Sequence, residues 1–338
     1  MDAGNGTPVN ATFCVTGSTG YIGSWLVCSL LRRGFTVHAT ARDTGKASYL
    51  LSLPNASNRL KIFKSDLSEE GSFDEAVKGC VGVFHVAASM ELSVEHEEAI
   101  DAMMETAVKG TVNVLQACLR SKSVKKVLFT SSISTISARE EGRGWRSVVD
   151  ESSVNPIDLV LNTKPCGWVY VVSKIMTEEK AFQFAKENGI NLVSIIPPTV
   201  AGPFLTPSVP VSIKVLLSPL TGDPYLYPVL ITVHSRLGSV PLVHIEDLCN
   251  AQIFLMEKDS AEGRYICSAG SSTLPQLEEL LSEHYSSFSC KRYTKESHDG
   301  AASIISSKKL TDLGFEFKHG IKGIVEQSIA SSTEVGYL

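Results

Sequence analysis

Three glycines spaced by three residues, Gly17, Gly20 and Gly23, stand between a strand-like run and a helical one, and few architectures accept that order. Thr12–Thr16 (TFCVT) is β-branched and apolar. From Ile22 to Leu31 apolar residues recur at helical spacing, until Arg32, Arg33 and Gly34 stop the pattern. A glycine turn in that setting lets the backbone approach a bound group closely and leaves the first N–H groups of the helix free for an anion. Gly17-x-x-Gly20-x-x-Gly23 departs from the usual G-x-G-x-x-G spacing by one residue. The physical demands are the same, and the turn is expected to hold the pyrophosphate of a dinucleotide.

Alternation continues along the chain. Strand-like runs at Phe35–Thr40, Arg59–Lys64, Val81–Ala87, Lys126–Thr130 and Leu192–Ile196 are separated by helical patterns, among them a long one from about Glu97 to Arg120 and one carrying Tyr170 and Lys174 that ends near Asn188 and Gly189. That order predicts an α/β fold, a Rossmann-type doubly wound parallel sheet with crossover helices. After Pro197 and Pro198 the texture changes. Residues 199–235 are rich in Pro, Leu and Val with few charges, and are expected to form loops and short helices over a pocket. Val240–His244 and the helix from Ile245 to Glu257 are expected to rejoin the sheet. The predicted organisation is a disordered tail over 1–11, a cofactor-binding domain over 12–198 with about 236–262, and a smaller C-terminal substrate lobe from 199–235 with 263–338.

Charge and cysteine usage narrow the function. With 338 residues and a net charge of −5, the chain is expected to bind neither nucleic acid nor an anionic membrane. Its eight cysteines are dispersed with no Cys-x-x-Cys pair, which suits reduced thiols rather than a disulfide framework or zinc site. No apolar run reaches membrane-span length and the N-terminus has no basic start or apolar core, so a cytoplasmic protein is expected.

Three further stretches carry chemistry. Tyr170 and Lys174 are four apart in GWVYVVSK and share one helix face. A lysine ammonium beside a phenol is expected to lower its pKa from about 10 and make it a usable acid. Ser132 follows the strand ending at Thr130, where an open α/β sheet places its ligands, and could hydrogen-bond a substrate carbonyl together with Tyr170; a helix cap or turn is the plainer role. At the end of the second strand stand Arg42 and Asp43, with Lys46 close by. Arg42 suits a 2′-phosphate and hence NADP(H), whereas Asp43 would take a ribose 2′-hydroxyl.

Taken together, TGSTGYIG, Asp66-Leu67, GCVGVFHVA, SVKKVLFTSS, GWVYVVSK, GPFLTP and VHIEDLCNA resemble the extended short-chain dehydrogenase/reductase superfamily. Within it the chain is similar to the plant branch of dihydroflavonol, anthocyanidin and vestitone reductases, from about residue 12 to the C-terminus. The resemblance implies an NADP-dependent oxidoreductase with Ser132, Tyr170 and Lys174 as catalytic residues. It places Gly17, Thr19, Gly20, Tyr21, Ile22, Gly23, Arg42 and Lys46 along the pyrophosphate and 2′-phosphate. By the same resemblance Asp66 and Leu67 flank the adenine, Val86 and Ala87 its ribose, and Pro197 and Thr199 the nicotinamide. Met90, Ser137, Trp168 and Phe204 would line the substrate pocket.

Departures from the family bear on the substrate. Ser137 stands where dihydroflavonol reductases tend to carry an asparagine, and His85–Met90 reads HVAASM where vestitone and anthocyanidin reductases read HVATPV. The expected substrate is a small, flat aromatic phenolic, reduced at a carbonyl or at an anthocyanidin double bond. Alternatives are an alkaloid or other polycyclic carbonyl, a nucleotide-sugar epimerase or dehydratase, and a non-catalytic NADP-sensing protein. An epimerase would need cations for a second diphosphate, and Lys214, Arg236 and Arg264 are the candidates. The expected assembly is a monomer or homodimer with no metal.

Overall fold

The computed structural model describes residues 11–88, 97–140, 144–284 and 303–338. Most of the expected N-terminal tail, residues 1–10, lies outside these. Ala11 does not belong to a tail: it is buried, and its carbonyl accepts the Thr36 N–H at 3.0 Å.

Seven strands form the main sheet: β1 (Thr12–Thr16), β2 (Thr36–Ala41), β3 (Leu60–Lys64), β4 (Gly82–His85), β5 (Lys126–Thr130), β6 (Leu192–Ile196) and β7 (Gly263–Ile266). Their order is β7-β6-β5-β4-β1-β2-β3, and the pairs from β3 through β6 are parallel. The order reverses at the β1–β4 junction, where doubly wound sheets place their ligands at the strand C-termini. β5 and β6 are buried at every position, as strands covered on both faces must be, which explains why they are mostly apolar rather than alternating, with Ser194 the one polar residue inside β6. The helices that matter for the site are α1 (Tyr21–Arg32), α2 (Glu97–Ser121), α3 (Trp168–Asn188), α4 (Val211–Thr221), α5 (Leu226–Leu237), α6 (Ile245–Glu257) and α7 (Ile321–Glu334).

The chain divides into two compact units. The first comprises Met1–Thr130, Met176–Ile195 and Cys249–Arg264. Its core gathers Cys14, Val83, Val114, Leu115, Val127 and Ala181 around the sheet, and each aliphatic side chain of Val or Leu size so buried contributes about 1.5–3 kcal/mol. Glu178 is buried here, accepts from the Ser194 hydroxyl at 2.5 Å and pairs with Arg264 at 3.0 Å.

The second unit comprises Ser131–Ile175, Ile196–Leu248 and Tyr265–Leu338. The sequence reading grouped 131–175 with the cofactor-binding residues; here Ser137 N–H bonds the Ser153 carbonyl, and Val148–Val149 pairs in parallel with Ile304–Ile305, within the second unit. Its core joins Ile133, Ile136, Val149, Ile196, Leu237, Ile266 and Ile305. Val240–His244 does not rejoin the main sheet. It pairs in parallel with Thr199–Ala201 and antiparallel to Gly270–Ser272 in a separate three-stranded sheet. The seventh main-sheet strand is instead β7, which the sequence reading assigned to the C-terminal lobe; short apolar runs of equal quality do not announce which edge they join. Residues 199–235 are also more regular than expected, since α4 and α5 occupy most of them. Asp247 accepts the N–H groups of Lys318 and His319 at 3.0–3.2 Å, holding the entry to α7. Among the described residues no helix is long and apolar enough to cross a membrane.

Candidate active site

The glycine turn is built as its spacing demands. Gly17 has φ +66°, and a Cβ there would lie 2.8 Å from the Ala87 Cα. A Cβ on Gly23 would lie 2.2 Å from the Gly17 carbonyl oxygen, so α1 and the turn pack backbone against backbone. Gly17 O accepts the Gly20 N–H at 3.1 Å, and the Ser18 N–H and hydroxyl both donate to Thr40 O. The Thr16 hydroxyl accepts the N–H groups of Val86 and Ala87 at 3.1 and 3.0 Å, which leaves its proton for Nδ1 of His85 at 2.9 Å. The exits of β1 and β4 are thereby fastened together.

Gly20 caps α1 without any side-chain hydrogen bond, and no acidic residue occupies the first turn. The opening N–H groups of the helix are therefore left for a ligand, which fits a dinucleotide pyrophosphate. Tyr21 contributes only its backbone here, because its phenol is buried beside Cys249. The Thr19 carbonyl is held by the Tyr49 hydroxyl at 3.1 Å, and Ile22 O faces Cys249 Sγ at 3.9 Å.

At the β2 exit Arg42, Asp43 and Lys46 are all exposed. The Asp43 carboxylate accepts the Gly45 N–H at 2.9 Å and is engaged in its own turn. Asp66 behaves likewise, accepting both the N–H and the hydroxyl of Ser68, which hold its pKa below the usual carboxylate value, with a smaller pull from Arg42. Both carboxylates are thus committed locally and the guanidinium stands out to solvent. The Leu67 carbonyl accepts from Asn113 of α2 at 2.9 Å.

In the second unit Ser132 caps the short turn Ile133–Thr135 with its own hydroxyl, accepting the Ser134 N–H at 3.2 Å. That segment is anchored by the Ile133 N–H on the Pro197 carbonyl at 2.9 Å and by the Asn155 amide on Ser134 O at 2.9 Å. α3 starts at Trp168 and buries Val169, Val171, Val172 and Ile175, setting Tyr170 and the buried Lys174 one turn apart. The Tyr170 hydroxyl lies close enough to Ser132 to feel its hydroxyl. Burial pushes Tyr170 above the ordinary phenol value, while Ser132 and the Arg236 guanidinium pull it back. This direction is opposite to the one expected from the Tyr–Lys spacing: burial of the phenol outweighs the pull of Ser132 and of the Arg236 charge.

Arg236 is the residue that sequence reasoning undervalued, weighing it only as a cation for a diphosphate. It lies in the last turn of α5, donates from Nη2 to Ile133 O at 3.4 Å, and receives the Ala138 N–H on its own carbonyl at 3.2 Å. A cation four residues before the apolar strand Val240–His244 carries no local signal of what it faces.

The remaining expected residues divide. Pro197 supports the serine turn and Thr199 opens the strand Thr199–Ala201. Ser137 is buried, and its hydroxyl is engaged by the Arg139 N–H at 3.1 Å. Trp168 stacks beneath Lys164 Nζ at 5.1 Å. Phe204 is half-buried. Met90 lies outside the described residues. The other candidate diphosphate cations are occupied: Arg264 by Glu178, and Lys214 over the Tyr337 ring at 5.6 Å. Among the described residues His244, Glu246 and His319 bring one ligand atom each within 4.8 Å of one another; the imidazole centroids stack at 3.7 Å and 24°, and His244 Nδ1 accepts the Glu246 N–H at 3.1 Å.

Known proteins share this architecture. A family model described as the NAD dependent epimerase/dehydratase family matches residues 13–268. A Ginkgo biloba protein, named as an anthocyanidin reductase on provisional grounds, is 43% identical over 97% of this chain and 96% of its own. Dihydroflavonol 4-reductase of Arabidopsis thaliana is 41% identical over 97% of this chain and 84% of its own. The crystal structure of vestitone reductase from alfalfa (Medicago sativa) superimposes with a TM-score of 0.80 at 34% identity, covering 97% of this chain and all of that one. The chain belongs to the NAD dependent epimerase/dehydratase family, as an oxidoreductase of its dihydroflavonol, anthocyanidin and vestitone reductase branch.

Proposed function

We propose that the chain is an NADPH-dependent reductase of a flat phenolic carbonyl, with the proton supplied by Tyr170. The observation that carries this reading is the nearness of the Ser132 and Tyr170 hydroxyls, with the part-buried Arg236 guanidinium beside them. The names of the relatives support the substrate class. The glycine turn, the uncapped start of α1 and the exposed Arg42 support the cofactor, with Arg42 and Lys46 holding a 2′-phosphate and Asp66, Leu67, Val86 and Ala87 the adenosine.

A bound NADPH supplies the hydride. The chain's own residues do the rest. Ser132 Oγ and Tyr170 Oη donate to the substrate carbonyl oxygen and stabilise it as it gains negative charge. Tyr170, kept fully protonated by its burial, then passes its proton to that oxygen, and Arg236 and Lys174 balance the phenolate left behind. Proton transfer of this kind is worth about 10²–10⁴-fold in rate. With Arg264 and Lys214 engaged elsewhere, a sugar nucleotide finds few cations, which weighs against an epimerase. A cytoplasmic monomer or homodimer completes the proposal.

The test follows NADPH consumption with a dihydroflavonol, an anthocyanidin, an isoflavanone, a coenzyme A thioester and a UDP-sugar. Turnover of one or more of the first three is expected. Turnover of either of the last two alone would contradict the reading.

A further inference from the structure

Arg236 is a cation in an awkward place. Its Nε is buried and has no hydrogen-bond partner, and its single side-chain hydrogen bond, Nη2 to the Ile133 carbonyl, is long at 3.4 Å. No carboxylate pairs with it among the described residues. Burial lowers its pKa to about 10, so it stays charged at neutral pH at a cost in solvation. The guanidinium is only part-buried as a whole, but its Nε is enclosed, and an enclosed donor without a protein acceptor is best satisfied where something else supplies one.

Its position says what that acceptor is. Ile133 is the residue after Ser132, and Tyr170 is the ionisable group whose field acts on the guanidinium. The idle donor therefore stands beside the two hydroxyls that would hold a reacting carbonyl oxygen. A substrate oxygen on the atom next to that carbonyl would be the natural acceptor for such a cation. A fork of N–H donors with a fixed positive charge selects an acidic oxygen over a neutral one.

We propose that Arg236 is a specificity-determining residue that grips an acidic hydroxyl, phenolic or enolic, on the carbon adjacent to the reacting carbonyl. The inference rests on the assignment of Ser132 and Tyr170 as the carbonyl-binding pair. It changes the character of the expected pocket, which is apolar over residues 199–235 but carries one deliberate cation at its reactive end. Sites that satisfy buried polar groups through a substrate hydroxyl reject the analogue lacking it far more strongly than apolar sites reject a methylene.

The test uses binding as well as turnover, so that a wrong substrate class does not obscure the result. Dissociation constants of 3-hydroxyflavone and flavone, which differ only by the hydroxyl next to the carbonyl, are measured on the full chain with NADP⁺ by tryptophan fluorescence quenching. The wild type is expected to prefer 3-hydroxyflavone by about 10- to 100-fold. Arg236→Met should abolish the preference by weakening 3-hydroxyflavone alone, and Arg236→Lys should retain part of it. NADP⁺ affinity and the far-ultraviolet circular dichroism of each variant report whether the fold survives, and the Lys variant keeps the test alive if Met does not fold. A wild type that binds the two flavones equally, or variants that keep the full preference, would overturn the proposal. A preference that holds while no aromatic carbonyl is turned over would sink the reductase reading and leave the role of Arg236 standing.

Discussion

In the first unit the groups proposed to meet a ligand are backbone N–H groups laid bare by glycines, whereas in the second they are side-chain hydroxyls and cations. Gly17 and Gly23 leave no room for a Cβ, and the start of α1 has no side-chain cap. Ser132, Tyr170 and Arg236, by contrast, depend on a serine turn, the first turn of α3 and the last turn of α5 coming together. A backbone site is written in a contiguous stretch and tolerates little substitution anywhere within it. A side-chain site is assembled from distant positions, and each can be exchanged separately. On the proposed reading, the binding of a common cofactor and the choice of a particular substrate are carried by different kinds of structure.

That contrast can be broken at three points. The largest effect belongs to Tyr170→Phe, which keeps the ring and removes the proton. Turnover should fall by about 10²–10⁴-fold while NADPH affinity, measured by fluorescence titration, stays within error. The pH dependence sharpens the point. Because burial raises the Tyr170 pKa, the acid form persists, and the rate of reduction should not fall until the pH passes the ordinary phenol value of about 10. A basic limb near neutrality would mean that another group supplies the proton.

Arg42→Ala removes one of the two first-unit cations proposed, with Lys46, to hold the 2′-phosphate. Losing hydrogen bonds to a phosphate costs about 1.5–3 kcal/mol, a weakening of about 10- to 100-fold for NADPH. NADH affinity and kcat at saturating NADPH should hardly change. Equal losses for the two dinucleotides would return the ribose to Asp43.

Gly23→Ala attacks the backbone itself. Its Cβ would sit 2.2 Å from the Gly17 carbonyl oxygen, which is main chain and cannot swing aside. Overpacking of this kind costs about 1–3 kcal/mol, seen as a lower melting temperature, and NADH and NADPH should weaken together. A variant that lost NADPH selectively would show that the turn reads more than pyrophosphate.

How much of this was legible follows the same contrast. The alternation of strands and helices could be read because parallel strands buried on both faces are mostly apolar runs, as in KVLFT and LVSII. The glycine turn was readable for the same local reason, and Tyr170 and Lys174 fell on one helix face by spacing alone. What escaped depends on long-range packing. Val240–His244 is as strand-like as any run, yet pairs with Thr199–Ala201 outside the main sheet, because strand partners are chosen by tertiary fit. The Tyr170 shift went the other way because burial of its hydroxyl is set by segments far along the chain. Arg236 was visible as a charge, and its role was hidden for that reason too. Ser137 could be named but not its engagement with the Arg139 backbone, since a turn and a pocket wall use the same residue type.

The central claim is that hydride and proton are delivered to one carbonyl, the proton by Tyr170. NADPH deuterated at the transferred position, given with an accepted dihydroflavonol or isoflavanone, tests it in one product spectrum. The account predicts a single deuterium on the carbon that was the carbonyl, in the wild-type reaction and in the residual reaction of Tyr170→Phe at its much lower rate. Product without deuterium at that carbon, or a Tyr170→Phe enzyme that forms it at the wild-type rate, would contradict the account.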